Sequence, residues 1–342
     1  MSFKRLDPED ISISAESIVA PAWTGQLTTL VGFYTSSTQV GVGAGNYYYD
    51  VYQLPSTTTG AEVQFSIAYG NIQGSGSQPI NALVSGSTPS SVIYGQYRTL
   101  VNGDENTNFT FGNTTPNSIF VISVDRSRYK EKLLPGSFNL TLTSGSTTLR
   151  LTDNSKSVTT VSYVDSGRVY DIVSGSNGTP YIGLTTTGFT PGSGSYGKFL
   201  PDVGTIILNG AALRGAAGIA VDGGLGLTYT EASGVSSQIN LNLFYNIINA
   251  GASFNLQSEE TITSDYVFVR VRNGEFNYST NPSIISGSGQ LRYDVLVNSP
   301  QAYITTVGLY NDNNDLLGVA KLSRPLLKDF TKEALVRIKL DY

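Results

Sequence analysis

The 342-residue chain contains no histidine and no cysteine, a single methionine and a single tryptophan, and only 14% charged residues. Without histidine there is no imidazole to serve as general base, to activate a serine or cysteine nucleophile, or to ligate a metal. Without cysteine there are neither disulfides nor thiolate metal sites, so the fold depends on packing, backbone ladders and association. Cations are few, and a net charge of −5 runs against the clustered lysine and arginine that a phosphate backbone requires, so no nucleic-acid partner is expected. The longest uncharged stretch, Ala232 to Gln257, carries too many Asn, Ser and Gln to cross a bilayer as a helix, and no stable membrane insertion is expected. The opening segment, Met1-Ser-Phe-Lys-Arg-Leu-Asp-Pro-Glu-Asp10, is charged and lacks the apolar run of a secretory signal, which points to synthesis in a cytoplasm.

What the chain does have is glycine, serine, threonine, asparagine and tyrosine, a composition suited to many short strands joined by tight turns. Residues 1–30 mix charge, Pro8, Pro21 and Trp23 without periodicity and read as an extended arm. Residues 31–203 read as a β domain, with strands expected at Tyr47 to Gln53, Ala61 to Tyr69, Ser91 to Tyr97, Ile119 to Val124 and Phe138 to Leu142. Two hairpins are legible: Phe138 to Thr143 with Thr147 to Thr152 across Ser144-Gly-Ser146, and Val158 to Val164 with Arg168 to Val173 across Asp165-Ser-Gly167. Residues 204–262 form a mixed segment in which Ile239, Leu241, Leu243, Phe244, Ile247 and Ile248 approximate one helical face ending near Gly251. Its asparagines lower helix propensity, so that helix should be packed. Residues 263–342 return to β, at Tyr266 to Val271, Gln290 to Val297, Tyr303 to Tyr310, Leu316 to Lys321 and Glu333 to Leu340, with a turn at Asn311 to Asp315. The fold class is therefore mainly β: antiparallel sandwich or barrel-like sheets, with a short helical insertion before a C-terminal β region.

Several motifs invite a chemical reading that their neighbours weaken. Gly192-Ser-Gly-Ser-Tyr-Gly-Lys198 has the spacing of a phosphate-cradling loop. Phe199 stands where a magnesium-binding hydroxyl belongs, however, and Pro201 opposes the following helix. A flexible surface loop is the plainer reading. Arg126, Arg128, Lys130 and Lys132 alternate as one side of a strand would, with Asp125 and Glu131 on the other. On such a strand Ser127 and Lys130 point apart and cannot form a nucleophile pair. Asp104-Glu105, Glu259-Glu260 and Asp312 with Asp315 are the neighbouring carboxylates a glycosidase would need, but adjacency makes no cleft. The loop 311–315 lacks the glycine and distal glutamate of an EF-hand, so no metal is expected there. In Tyr47-Tyr-Tyr-Asp-Val-Tyr52, Tyr48, Asp50 and Tyr52 fall on one face and Tyr47, Tyr49 and Val51 on the other. Such a run serves a core or an interface equally well, and sugar stacking stays open.

The stretches Ala61-Glu-Val-Gln-Phe-Ser-Ile-Ala-Tyr69, Ile93-Tyr-Gly-Gln-Tyr-Arg98, Tyr129-Lys-Glu-Lys-Leu-Leu-Pro-Gly136 and Tyr303-Ile-Thr-Thr-Val-Gly-Leu-Tyr310 resemble a family of virion structural proteins from contractile-tailed phages of marine bacteria and cyanobacteria. The likeness extends through Val267-Phe-Val-Arg-Val-Arg-Asn273, Glu275-Phe-Asn-Tyr278 and Asp329-Phe-Thr-Lys-Glu-Ala-Leu335, and covers most of the chain. It implies an architectural part in a phage particle, with no reaction, no cofactor and no catalytic residues; it leaves tail, baseplate and neck open, and tail or baseplate is the expected place. The partners it implies are other virion proteins and further copies of the chain, so a homo-oligomer within the particle is expected. The C-terminal hairpin also resembles attachment modules of phage tail fibres.

On this reading the candidate contact residues are Phe3, Arg5, Leu6, Ile11, Trp23, Tyr48 and Tyr52, with Leu335, Ile338 and Leu340 near the other terminus. The arm and the last strand would add to a neighbour's sheet edge. Two alternatives remain: a receptor-binding or glycan-degrading fibre protein, and an outer-membrane β-barrel, suggested by the alternation of Val336-Arg-Ile-Lys-Leu-Asp-Tyr342.

Overall fold

The computed structural model describes residues 5–35, 48–77, 88–112, 114–180, 195–215, 225, 239–279 and 281–341. Phe3, Tyr47, Gly192 to Gly194 and Tyr342 lie outside them. The described strands, in chain order, begin with β1 (Ile11–Pro21), β2 (Thr29–Leu30), β3 (Tyr34–Thr35), β4 (Tyr48–Tyr52), β5 (Val63–Asn71), β6 (Ser118–Val124) and β7 (Lys132–Leu133). There follow β8 (Asn139–Ser144), β9 (Thr147–Asp153), β10 (Ser162–Val164), β11 (Gly167–Ser176), β12 (Thr179–Pro180), β13 (Gly197–Leu200) and β14 (Thr205–Asn209). The last are β15 (Ser253–Asn255), β16 (Gln257–Val271), β17 (Gln301–Tyr310), β18 (Leu316–Asp329) and β19 (Ala334–Asp341). Helices are α1 (Pro89–Asn102), α2 (Gly210–Arg214), α3 (Ile239–Asn249) and α4 (Val295–Asn298). With 48% strand against 14% helix, the fold is mainly β and antiparallel, as the sequence suggested.

The chain divides into two units, Ile18–Glu260 and a second made of Met1–Ser17 with Thr261–Tyr342. This differs from the expected boundaries at 30 and 203. No boundary falls at 203 because β14 lies inside a sheet, hydrogen-bonded to β13 on one side and β6 on the other. The arm is not separate either: β1 pairs with β16, and both strands cross the division at 17/18 and 260/261.

Unit Ile18–Glu260 is built on a 13-stranded, curled sheet of order β2-β15-β8-β9-β11-β13-β14-β6-β5-β4-β3, with β10 and β12 also paired to β11. Alternation along the central strands feeds two cores. On β6, Phe120, Ile122 and Val124 enter one, while Ile119 and Val121 enter the other. The first core is aromatic: Trp23 lies 4.9 Å from Phe254 and 5.8 Å from Phe65, and Phe254 meets Phe65 at 5.4 Å and Phe138 at 5.7 Å. Each such pair adds about 0.5–1.5 kcal/mol beyond area burial. Helix α3 covers this face with Leu241, Phe244, Ile247 and Ile248, and Phe244 stacks 4.9 Å from Phe120. The helix is packed, as its asparagine content required.

The second face is covered by α1, where a strand was expected at Ser91 to Tyr97. The helix wins because both ends are capped: Thr88 accepts from the Ser91 N–H, Pro89 occupies the first turn, and Gly103 ends it at φ 65°. Ile93, Tyr94, Tyr97 and Val101 then share one helical face against the sheet. Gly70 lets α1 approach β5, since a Cβ there would sit 3.0 Å from both Ile119 Cγ1 and the Tyr94 amide nitrogen.

The other unit pairs β16 with β1 and with β19, and sets the β17–β18 hairpin as a separate two-stranded sheet. The hairpin's inward residues Val307, Leu309, Ala320 and Leu322 pack on Val267, Val336 and Ile338, together with Leu6 and Val269. Its turn at 311–315 follows expectation, with Asn314 at φ 64°. The strand expected at Gln290 to Val297 does not form. Amides of Leu296 and Val297 bond back to Tyr293 and Asp294, giving the one-turn α4, and Pro300 stops it.

Candidate functional site

The charged cluster Arg126 to Lys132 is not a strand face. Asp125 accepts from the Ser127 N–H and starts a 3-10 turn over Arg126–Arg128. Arg126 then folds back to donate to the Tyr129 carbonyl at 2.8 Å and to the Lys130 carbonyl, its guanidinium 4.5 Å over the Tyr129 ring. Arg128 pairs with Glu62 at 2.6 Å and also donates to Thr24, Lys130 pairs with Glu260 at 2.8 Å, and Lys132 lies 3.8 Å from Glu259. That hydrogen bond from Arg128 holds the Glu62 carboxyl below the usual range. These cations tie neighbouring segments together, with Glu62, Glu259 and Glu260 among the anions they use.

Two of the remaining candidate carboxylates, Asp104 and Asp315, are also committed to local structure. Asp104 takes hydrogen bonds from the Thr107 hydroxyl at 2.6 Å and the Asn106 amide at 3.0 Å, which lower its pKa and close the loop after α1. Asp315 accepts from Asn311 Nδ2 at 2.9 Å across the hairpin turn. Lys198, the last residue of the glycine-rich motif, lies on β13, 3.8 Å from Asp171. Gly197 beside it is a packing glycine: a Cβ there would fall 2.1 Å from the Ile207 carbonyl oxygen. Among the described residues no group of three or more acidic side chains is placed to hold a metal.

Three buried polar arrangements carry no sequence signal. Asp153 accepts from the Gly136 N–H at 2.9 Å, and burial raises its pKa. Lys328, fully buried, donates to the Asn273 and Asp329 carbonyls at 2.9 Å and to Asn277 Oδ1 at 2.7 Å. Arg168 clamps Asp202 through Nη2 at 2.6 Å and its backbone N–H at 2.7 Å. Burial alone would raise the Asp202 pKa, and these bonds outweigh it, leaving the carboxyl below its usual range. All three fasten loops or strand ends.

The candidate contact residues separate into different environments. Trp23 is 2% exposed, donates from Nε1 to the Phe254 carbonyl at 2.8 Å, and belongs to the aromatic core, not to an interface. Leu6 and Ile338 pack inside their own unit. Arg5 and Ile11 are exposed, as are Leu335, at 64%, and Leu340. On β4, Tyr49 and Val51 enter the core, and Tyr49 donates to Asn242 Oδ1. Tyr48, at 43% exposure, Asp50 and Tyr52 line the opposite face, and Tyr34 stands across from Tyr52.

One exposed apolar surface among the described residues was not among the contact residues expected from the sequence. On the outward side of the β17–β18 hairpin, Tyr303, Tyr310, Leu316, Leu317 and Val319 are all exposed, Leu317 to 70%. A hairpin carrying apolar residues on both faces needs covering on both, and only the inward one is covered here. The adjacent Leu316 and Leu317 are both exposed where the ladder is irregular, between the pairs Leu309/Gly318 and Tyr310/Leu316.

No known protein family matches this chain, and no curated protein or solved structure matches it either.

Proposed function

We propose that the chain is a structural component of a phage particle, in the tail or baseplate, and that it works by burying surface against further copies of itself and against other virion proteins. The observation that carries this reading is the uncovered apolar side of the β17–β18 hairpin, in a unit whose own buried cluster is limited to Val267, Val336 and Ile338. A two-stranded ribbon is marginal in water, and an exposed apolar patch of this kind marks a protein contact. The family likeness of the sequence supplies the setting. The test is quantitative mass spectrometry of washed particles: the chain should be present in fixed ratio to the other structural proteins, and its loss on washing would contradict the reading.

One observation favours a second reading, a receptor-binding fibre protein. Tyr34 and Tyr48, both exposed, share a face with half-buried Tyr52 and Asp50, a platform on which a sugar ring could stack. Specific binding of host envelope glycans by the purified chain, lost in Tyr48→Ala, would support it. The outer-membrane barrel is disfavoured by packing, because β5, β6 and β14 send apolar side chains into cores on both faces. A membrane barrel faces lipid outside and a polar lumen within.

A further inference from the structure

We infer that β17 pairs edge to edge with β17 of a second copy of this chain, so that two hairpins join into one four-stranded antiparallel sheet. The inference deepens the assembly reading above and rests on it.

It starts from how the fold treats its sheet edges. An open edge offers N–H and C=O groups to any extended chain, and natural sheets blunt such edges with short strands, charged side chains or proline. The 13-stranded sheet ends on β2 and β3, each two residues long. In the other unit β1 carries Glu16 and β19 carries Arg337, Lys339 and Asp341, all exposed. Strand β18 exposes Lys321, Arg324 and Pro325. Strand β17, Gln301-Ala-Tyr-Ile-Thr-Thr-Val-Gly-Leu-Tyr310, has no charged residue and no proline in its 10 residues. Among the described residues, Gln301 to Leu309 ladder with no strand other than β18. The hairpin ladder is irregular at two places, between the pairs Ile304/Leu326 and Thr306/Lys321, where β17 has Thr305 alone and β18 has Leu322 to Pro325, and between Leu309 and Tyr310; Thr305 and Thr306 are both exposed, so the inward side of β17 changes phase there and runs through Ala302, Ile304, Val307 and Leu309.

A second copy is an occupant that charge does not oppose. Identical strands pair antiparallel about a two-fold axis, an isologous contact. With the axis perpendicular to the sheet, each face meets its own kind. The inward residues Ala302, Ile304, Val307 and Leu309 of one copy continue those of the other, and no register opposes like charges. Self-pairing of β19 centred on Ile338 would instead set Arg337 against Lys339.

Thr305, exposed and central in β17, faces itself or Thr306 in any register centred on the strand. The experiment is sedimentation of the full chain over a concentration series. The unaltered chain should self-associate. Thr305→Lys and Thr305→Glu should each weaken association at least tenfold with unchanged Trp23 fluorescence, and an equimolar mixture of the two should restore it by setting Lys against Glu. Ser323→Lys, an exposed change on β18, should leave association intact. An unaltered chain that stays monomeric, single variants that associate normally, or a folded mixture that fails to recover would each overturn the pairing. A monomeric chain that is still found in washed particles overturns the pairing and leaves the assembly reading standing. A chain that dimerises through Thr305 but is absent from particles does the reverse.

Discussion

The two units of this chain solve the problem of burial differently. In Ile18–Glu260 the central strands are covered on both faces, one by an aromatic cluster running from Trp23 through Phe254 to Phe138 and the other by α1. In the unit of Met1–Ser17 with Thr261–Tyr342, one layer of the hairpin meets a small cluster and the other faces water. Apolar area removed from water contributes about 25 cal/mol per Å², so the first unit holds itself together and the second gains from a partner. The difference directs the search for function to the surface that the described residues leave uncovered.

The comparison can be broken or sharpened by measurement. The largest effect should come from Phe254→Ala, which opens a cavity between Trp23, Phe65 and Phe138 and should cost about 3–5 kcal/mol in urea unfolding followed by Trp23 fluorescence. A much smaller cost would mean that the aromatic cluster does not hold the larger unit. Ile338→Ala should cost about 2 kcal/mol, and because the chain's one tryptophan is in the other unit, the loss should appear in far-ultraviolet circular dichroism and leave the fluorescence midpoint unchanged. Coincident shifts of both signals would erase the distinction between the units.

The smallest effect is a pH dependence within the larger unit. The Asp202 carboxyl has a folded pKa depressed by its bonds to Arg168, so the stability it contributes is present above the unfolded value of about 3.9 and is lost as pH falls through the folded one. Asp202→Asn should therefore be less stable than the unaltered chain at neutral pH, with the gap closing in acid. A gap that is constant with pH would show that the ion pair does not set it.

How much of this was legible in the sequence follows the range of the interactions. Hairpin turns are local, and Gly145, at φ 58°, and Asn314 marked theirs correctly. The apolar spacing of α3 was also local. Helix α1 was missed because Ile93, Tyr94 and Tyr97 were read as strand formers, although Thr88-Pro89 and Gly103 signalled caps. The basic cluster was misread because alternation alone cannot reveal that Asp125 starts a turn. Trp23 looked like part of an arm because its partners, Phe65 and Phe254, are far away in sequence. Of the candidate contact residues, Leu335 and Leu340 are exposed while Trp23 is buried, and the apolar hairpin face emerged only once both of its sides could be compared.

The most direct test of the central claim is hydrogen exchange on the free chain at low concentration and on the chain within purified particles. Amides of Gln301 to Leu309 should exchange readily in the free chain and become strongly protected in the particle, while those of β5 and β6 should be slow in both. Equal exchange of the β17 amides in the two states would contradict the account.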